Sequence, residues 1–260
     1  MKRWLFFVSS LFVFQCSSVA CAEETFFLID GITDQIVLEL GPAINEQISP
    51  CSTFKITLSL MGYDAGILQD EKTPIWDFQE GYDSFLESCK APLTPQSWMQ
   101  FSCLWYSKLL ALQLGLEPMQ KYLASLQYGN QDMSGGMTPP GPGNVAWINS
   151  SLKISPKDQV HFLQKMLLGE LPLSLHSIQM TKELLFKEES EGWKLFGKTG
   201  WSGSDITKDG KTLEHGWFVG WIEKGPYFYP FAYLVREKKI DLDQRIPRVK
   251  QLLMESKIML

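Results

Sequence analysis

The chain has 260 residues, of which 45% are apolar and 20% charged, and its formal net charge is −5 at pH 7. This length and apolar content suffice for one sizeable hydrophobic core or two closely packed subdomains, and no long low-complexity run indicates disorder. The acidic balance argues against nucleic acid as a partner, because binding to DNA or RNA depends on basic surfaces.

The first 22 residues have the pattern of a secretory signal peptide. Lys2 and Arg3 precede an apolar run over residues 4–15, and Ala20-Cys21-Ala22 provides small residues before a cleavage site. The run is shorter than the ~20 residues that span a bilayer. We therefore expect residues 23–260 to form an exported, periplasmic domain without a membrane span. Cleavage removes two basic and no acidic residues, so the formal charge falls from −5 to −7.

Two short β patterns open this domain, and a candidate nucleophile follows them. Phe26–Asp30 and Gln35–Leu40 predict an antiparallel hairpin around residues 31–34. Beyond it, Ser52 and Lys55 stand three residues apart at the start of an apolar helical segment, so they share a helix face near its positive end. Taken alone, this S-x-x-K motif is weak, since a serine N-cap followed by a solvated lysine is the simpler interpretation.

The middle of the chain, from Thr53 to Phe186, has the pattern of helices and loops. Helix starts with proline in the first helical position occur at Thr94-Pro95 and Ser155-Pro156. The Gly- and Pro-rich stretch 135–143 is the strongest break in this region. We interpret it as a loop beside the functional site and not as an interdomain linker.

Strand patterns return at Lys194–Thr199, Gly216–Glu223 and Tyr229–Glu237, and a helical pattern closes the chain over Asp241–Ser256. Strands from both ends of the sequence around a mainly helical insertion predict an α+β fold. We expect one antiparallel sheet flanked by helices, together with an all-helical lobe, and a functional site in the cleft between the lobes.

The predicted strand Lys194–Thr199 leads into the triplet Lys198-Thr199-Gly200. Together with the Ser52 motif, this triplet is the signature of penicillin-recognising serine enzymes. Between the two lie Ser102-Cys103-Leu104 and Tyr128-Gly129-Asn130, and Gly216-Trp217-Phe218-Val219-Gly220-Trp221 follows. In order and spacing these five elements resemble the class D (oxacillinase-type) serine β-lactamases over essentially the whole exported domain. The resemblance implies the fold shared by DD-peptidases and β-lactamases.

The resemblance also implies a covalent mechanism in which Ser52 attacks the β-lactam amide and forms an acyl-enzyme. In this family the corresponding lysine is N-carboxylated by CO2 and serves as general base in acylation and deacylation, a role that falls to Lys55. The amine must be neutral to react, which requires an apolar environment. Trp147 is implied as the donor of a hydrogen bond to the carbamate. CO2 or bicarbonate is needed, but no bound cofactor or metal is implied.

Further roles follow motif by motif from the resemblance. Ser102 is expected to pass the proton to the β-lactam nitrogen, with electrostatic support from Lys198. The backbone N–H groups of Ser52 and Trp201 are expected to form the oxyanion hole.

Substrate binding is assigned on the same basis. Thr199 and Arg245 are expected to bind the substrate carboxylate, although Arg245 is placed only by its offset from the chain end, and Arg248 and Arg236 compete with it. Leu104 stands where the family usually has valine. Because it should cover the carboxylated lysine, its larger side chain bears on water access during deacylation and on the choice of substrates.

Some of these residues also have purely structural interpretations. Tyr128 and Asn130 are supporting residues under the resemblance, but Gly-Asn shapes a turn whatever the function. Trp217, Phe218 and Trp221 alternate along a strand and are interpreted as core residues.

The cysteines leave several pairings open. Cys21 allows lipid attachment as an alternative to simple cleavage, although Ser18-Val19-Ala20 lacks the usual leucine at its first position. Cys51, Cys89 and Cys103 remain after cleavage, and their odd number leaves at least one free thiol. A disulfide between Cys51 and Cys103 stays open, while small buried side chains are the preferred interpretation. The spacing with the histidines fits no zinc pattern, and no catalytic role is assigned to His161, His176 or His215.

The sequence therefore favours a β-lactamase that confers resistance by acting on small-molecule β-lactams, as a monomer or a homodimer. The alternative is a sensor-like or penicillin-binding protein of the DD-peptidase type, which is acylated but does not turn over. A sensor carries transmembrane helices and a peptidase usually an anchor or extra domain, and the sequence pattern predicts neither. Acceptance of carbapenems or bulky cephalosporins should depend on positions such as Ser202–Leu213.

Overall fold

The computed structural model describes residues 22–206, 210 and 212–258. The predicted signal sequence up to Cys21, with its lipid-attachment alternative, lies outside the described residues, as does part of the 202–213 segment. Across the described ranges, no helix is long and apolar enough to cross a membrane.

Seven α-helices run through this described part of the chain. They are α1 Lys55–Asp64, α2 Pro95–Phe101, α3 Leu104–Leu114, α4 Leu116–Leu126, α5 Pro156–Leu168, α6 Leu175–Leu185 and α7 Arg245–Glu255. Short 3-10 turns add Cys51–Phe54, Glu87–Cys89 and Leu242–Gln244. The two helix starts predicted at Thr94 and Ser155 are confirmed, because each side chain accepts a hydrogen bond from the backbone N–H three residues later.

Six strands form one antiparallel sheet in the order β2-β1-β6-β5-β4-β3. They are β1 Glu23–Ile29, β2 Ile36–Leu40, β3 Phe186–Ser190, β4 Trp193–Ile206, β5 Thr212–Lys224 and β6 Tyr227–Glu237. The predicted hairpin is β1–β2, and the three predicted late strands are β4, β5 and β6. The edge strand β3 was not predicted, because its residues are mostly charged and exposed and give no apolar alternation.

The sheet separates two hydrophobic clusters. On one face Trp217 and Trp221 pack with the helices that include α1, α3 and α5, and on the other Phe218 packs with Phe26 and the inner side of α7. Successive residues of a strand point to opposite faces of the sheet, so β5 presents aromatic rings to both clusters. The interpretation of these three rings as core is confirmed, since all are fully buried. The α+β prediction is likewise confirmed.

Helix α1 runs through the middle of the helical part and is buried from Lys55 to Tyr63. Ser59 Oγ lies 2.8 Å from Thr181 Oγ1, and Ser177 Oγ donates to Leu60 O at 2.7 Å, so α6 is hydrogen-bonded along it. A helix covered on all sides cannot shift without opening the core. This fixes the position of its first residue, Lys55.

Candidate active site

Ser52 and Lys55 meet at the beginning of α1. Lys55 Nζ donates a hydrogen bond to Ser52 Oγ at 3.2 Å. Ser52 lies in the 3-10 turn Cys51–Phe54, called here the Ser52 turn, which runs directly into α1. The simpler interpretation of the motif is wrong, because Pro50 and not Ser52 occupies the N-cap and Lys55 is only 2% exposed.

Burial changes the acid–base character of Lys55. It lowers the pKa of the Lys55 amine to about 7, while the charges of Cys51 and Asp83 act in the opposite direction. The apolar environment includes Phe54, whose ring stacks on Trp147 with 5.2 Å between ring centroids. An amine with such a pKa is neutral in a large fraction of molecules at neutral pH, and can act as a nucleophile or base.

Trp147 also fixes the backbone of the Ser52 turn. Its carbonyl oxygen accepts hydrogen bonds from Cys51 N at 2.9 Å and from Ser49 Oγ at 2.8 Å. Cys51 has a left-handed conformation with φ +49°, which is uncommon for a residue with a side chain. The hydrogen bond that Cys51 N donates to the Trp147 carbonyl thus holds the bend that precedes Ser52.

Ser102 ends α2 in a left-handed conformation with φ +62° and ψ +32°. Its Oγ is buried and makes no hydrogen bond within the described part of the chain. A buried hydroxyl left in this state has its donor and acceptor capacity available for a further group. Leu104, the first residue of α3, is half-buried two positions later.

The cysteine next to Ser102 forms a disulfide that the sequence did not indicate. Cys103 is bonded to Cys89, and their Cα atoms are 5.6 Å apart. The possible pairing of Cys51 with Cys103 is therefore wrong. Cys51 is a buried free thiol, with its Sγ 3.5 Å from His215 Nε2.

The Lys-Thr-Gly triplet lies on β4 beside the Ser52 turn. Lys198 is 2% exposed and its Nζ donates to Thr199 O at 3.1 Å. Burial is the main cause that holds the pKa of Lys198 well below its usual range, and repulsion by Lys55, Lys187 and Arg245 adds to it. The Arg245 guanidinium, and Lys55 and Lys198 when they are protonated, therefore lie within electrostatic reach of one another. Such a cluster favours an anion.

Arg245 is the arginine that reaches β4. Its Nη1 donates to Gly200 O at 2.6 Å and its Nε donates to Leu242 O at 2.8 Å, while burial lowers the pKa of its guanidinium to about 10. The two competing arginines face carboxylates instead. Arg236 pairs with Glu23 and Glu46, and Arg248 pairs with Glu24.

Thr199 and Trp201 flank Gly200 on this strand. Thr199 is half-buried, whereas Trp201 is 43% exposed and its indole N–H donates to Glu214 Oε2 at 3.3 Å. The Trp201 side chain is thus held on the surface, and the strand presents its backbone beside the Ser52 turn.

The Tyr-Gly-Asn motif packs behind the Ser52 turn. Tyr128 is buried, with ring centroids 5.6 Å from Phe54 and 5.1 Å from Phe162, and burial raises the pKa of its hydroxyl. Asn130 is exposed and uses its amide to bind the neighbouring backbone, donating to Ser151 O at 2.8 Å and accepting from Lys153 N at 2.9 Å. These contacts favour the structural interpretation of both residues.

Three polar residues near this site had no local signal in the sequence: His215 and Lys108, which are buried, and Asp83, which is partly buried. His215 Nε2 lies 3.1 Å from Ser49 O, just ahead of the Ser52 turn. Lys108 and Asp83 form an ion pair with 3.0 Å between Nζ and Oδ2. Their partners are distant in sequence, so no spacing rule could reveal them.

The candidate active site does not coincide with the large groove of this structure. A groove of about 720 Å³ lies between α6 and the β3–β4 hairpin, lined by residues such as Ile178, Lys182 and Phe196, and it contains none of the predicted site residues. Among the described residues, no group of three His, Cys, Asp or Glu side chains is arranged to hold a metal ion. The convergence of reactive side chains identifies the site better than cavity size does.

The match to known proteins agrees with this arrangement. Residues 38–254 match the family model described as the penicillin binding protein transpeptidase domain. Together with the fold, the Ser-Lys pair and the Lys-Thr-Gly strand, this match defines a serine enzyme of the penicillin-recognising class.

Individual relatives narrow the class. β-Lactamase OXA-9 of Klebsiella pneumoniae is 35% identical over 251 residues, which cover 93% of this chain and 90% of the relative. β-Lactamase OXA-1 of Escherichia coli is 37% identical over 213 residues, covering 81% and 75%. The crystal structure of the OXA-427 class D β-lactamase superposes with a TM-score of 0.80 at 35% identity, covering 89% of this chain and 97% of that one. The chain belongs to the class D β-lactamase family.

Proposed function

We propose that this protein hydrolyses the β-lactam amide bond of penicillins and related antibiotics through an acyl-enzyme on Ser52, and thereby confers resistance to them. The observation that carries the proposal is the 3.2 Å hydrogen bond between Lys55 Nζ and Ser52 Oγ inside a buried site. A serine hydroxyl is a weak nucleophile and needs an adjacent base. This hydrogen bond and the lowered pKa of Lys55 support that role.

The base in this proposal is Lys55 carboxylated by CO2. Carbon dioxide adds to the neutral amine, an N–C bond forms and one N–H proton is released to solvent, so a neutral group becomes an anion. The lowered pKa of about 7 makes the neutral amine available. The new negative charge also lies within electrostatic reach of Lys198 and stabilises its protonated form. The indole of Trp147, beside Phe54, is proposed to donate to the new carboxylate.

Acylation then needs a base, an acid and an oxyanion site. The Lys55 base takes the Ser52 proton as Oγ attacks the lactam carbonyl, and the N–H groups of Ser52 and Trp201 bind the oxygen that gains charge, a contribution of about 3 kcal/mol per donor. Ser102, whose Oγ is buried and unsatisfied among the described residues, passes a proton to the leaving nitrogen with support from Lys198. In deacylation the same base activates water.

Substrate recognition is assigned to the strand edge and α7. Thr199 and Arg245 bind the carboxylate of the antibiotic, and the charge of Arg245 close to Lys198 supports an anionic substrate. Leu104 is proposed to lie over the Lys55 base and to limit the access of water. We further propose that residues 1–22 direct export to the periplasm, and that the enzyme works there as a monomer or homodimer.

The test is the number of penicillin or chromogenic cephalosporin molecules hydrolysed per molecule of residues 23–260, followed over time with bicarbonate present. We expect many turnovers, lost in Ser52→Ala and in Lys55→Ala. A burst of about one equivalent followed by no further product would indicate a sensor or a penicillin-binding protein. Hydrolysis retained in Lys55→Ala, or turnover indifferent to bicarbonate with no added mass on Lys55, would contradict the carbamate mechanism.

A further inference from the structure

Lys108 is a buried cation outside the predicted site. It lies on α3, the helix that begins just after the Ser102 motif, and is only 1% exposed. Its Nζ lies 3.0 Å from Asp83 Oδ2 and donates to Gly141 O at 2.6 Å and to Gly143 O at 3.3 Å. These three partners match the three protons of an ammonium group. The cation is thus compensated both by charge and by hydrogen bonds.

Asp83 completes a closed set of contacts with the same loop. Its second carboxylate oxygen, Oδ1, accepts a hydrogen bond from Gly141 N at 2.9 Å. The pair therefore holds the peptide groups on both sides of Gly141, where φ is +113°. A buried pair of this kind is expensive to break from one side, because the remaining charge stays desolvated.

The loop that the pair holds leads directly to the Ser52 turn. Only three residues separate Gly143 from Trp147, and the carbonyl of Trp147 accepts the hydrogen bond from Cys51 N. The chain of contacts is continuous from Lys108 on α3, through the loop, to the residue before Ser52.

The pair also bears on the charge balance around Lys55. The Asp83 carboxylate acts on Lys55 and raises its pKa, against the dominant effect of burial. The other titratable groups that act there are Cys51 on the Ser52 turn and, across the site on β4, Lys198. Lys108 stands 3.0 Å from Asp83, so its positive charge opposes the field of that carboxylate.

We infer that Lys108 and Asp83 are positioning residues, which hold the 141–147 loop against the Ser52 turn and set the charge that faces Lys55. This inference rests on the proposed role of Lys55 as a carboxylated base. The inference predicts that removing the charge of Lys108 and removing the charge of Asp83 shift the charge state of Lys55 in opposite directions. Removing Lys108 exposes Lys55 to an uncompensated anion, which favours the ammonium and repels the carbamate, whereas removing the charge of Asp83 does the reverse.

The experiment compares Lys108→Met, Asp83→Asn and the double variant in purified protein. In Lys108→Met we expect the acidic limb of kcat/KM to move to higher pH by about half a unit or more, and the bicarbonate concentration for half-maximal activity to rise about threefold to tenfold. In Asp83→Asn the acidic limb of kcat/KM should move to lower pH, and the bicarbonate concentration for half-maximal activity should fall. In the double variant both quantities should return toward their wild-type values. Lys121→Met, which breaks an exposed pair with Glu117, is the matched control.

The outcomes separate this inference from the proposed function. Wild-type turnover that is indifferent to bicarbonate overturns the proposed function and this inference with it. Bicarbonate-dependent wild-type turnover, with both single variants shifting in the same direction or losing activity without a shift, overturns this inference alone, since a merely structural pair would behave that way. If Lys108→Met does not fold, the shift to lower pH in Asp83→Asn decides the question.

Discussion

Gly200 of β4 lies directly against Thr53 of the Ser52 turn. A Cβ at position 200 would stand 3.1 Å from Thr53 Cγ2 and 3.0 Å from Pro50 O. Both distances are shorter than ordinary van der Waals contact. The absence of a side chain therefore allows the strand of Lys198 to approach the Ser52 turn closely, and this packing requirement explains the glycine of the triplet without reference to its flexibility.

The first prediction concerns this contact. Gly200→Ala should separate β4 from the Ser52 turn by a few tenths of an ångström and lower kcat/KM by about tenfold or more, since small displacements of catalytic groups are costly. Steady-state kinetics on the purified variant measure the effect. Gly203→Ala is the control on the same strand, because its Cβ would meet only the edge of the exposed Trp201 ring. Equal activity of the two variants would contradict the packing argument.

A second prediction separates the three candidate arginines. Arg245→Ala should raise KM for carboxylate-bearing β-lactams by about tenfold to a hundredfold with a smaller change in kcat, because it removes a ground-state ion pair with the substrate. Arg248→Ala should leave KM unchanged, since that guanidinium is engaged with Glu24 on the far side of β6. The reverse pattern would transfer the substrate-binding role to Arg248.

A third prediction concerns the stability of the buried amine. Lys55→Met should abolish turnover when bicarbonate is present, and in buffer depleted of CO2 it should raise the free energy of unfolding near pH 7 by about 1–3 kcal/mol, because burying an amine is costly and methionine fills a similar volume. Urea unfolding measures the change. Loss of stability in this variant would show that Lys55 contributes more to packing than to chemistry.

The same variant has a defined pH dependence. The pKa of Lys55 is about 7 in the folded protein and about 10.4 in an unfolded chain. At pH values between these two pKa values, Lys55 is protonated in the unfolded chain and neutral in the folded protein. The wild type therefore becomes more stable as pH rises. The advantage of Lys55→Met should therefore shrink between about pH 7 and about pH 9.5. Lys121→Met, an exposed replacement of the same type, should show no such trend.

A fourth prediction tests the cysteine pairing. Denatured, unreduced protein of residues 23–260 should label with one equivalent of a thiol reagent, at Cys51, because Cys89 and Cys103 are joined. The bond closes a loop with a sequence separation of 14 residues, so replacing both cysteines by alanine should reduce the free energy of unfolding by about 3 kcal/mol. Three labelled thiols would contradict the pairing.

Much of the fold could be predicted because its signals are local. The alternation in β5 and β6, the turn after Phe26–Asp30 and the Thr94 and Ser155 caps each depend on neighbours in sequence, and the structure has them in place. The pairing of Ser52 with Lys55 is local for the same reason, since one helical turn joins them.

The rest could not be predicted because it depends on contacts between distant segments. The pairing of Cys89 with Cys103 was not predicted, because no spacing rule selects Cys89 over Cys51. Lys108 has the pattern of an ordinary helix residue, and only the folded loops bring Asp83 and Gly141 to it. The edge strand β3 lacks the alternation that marks a half-buried strand, because it is exposed on most of its length.

The place of β1 in the sheet has a consequence for biogenesis. β1, among the first described residues, hydrogen-bonds to β6, with Phe26 opposite Tyr233. Contacts between segments about 200 residues apart form slowly and late. A chain threaded across a membrane from its N terminus therefore cannot complete its sheet until nearly all of it has emerged. Arg245 lies beyond β6, after a 3-10 turn, so a nascent or truncated chain lacks both the strand that pairs with β1 and the arginine proposed to bind the substrate, and under the proposed function it would give no antibiotic protection.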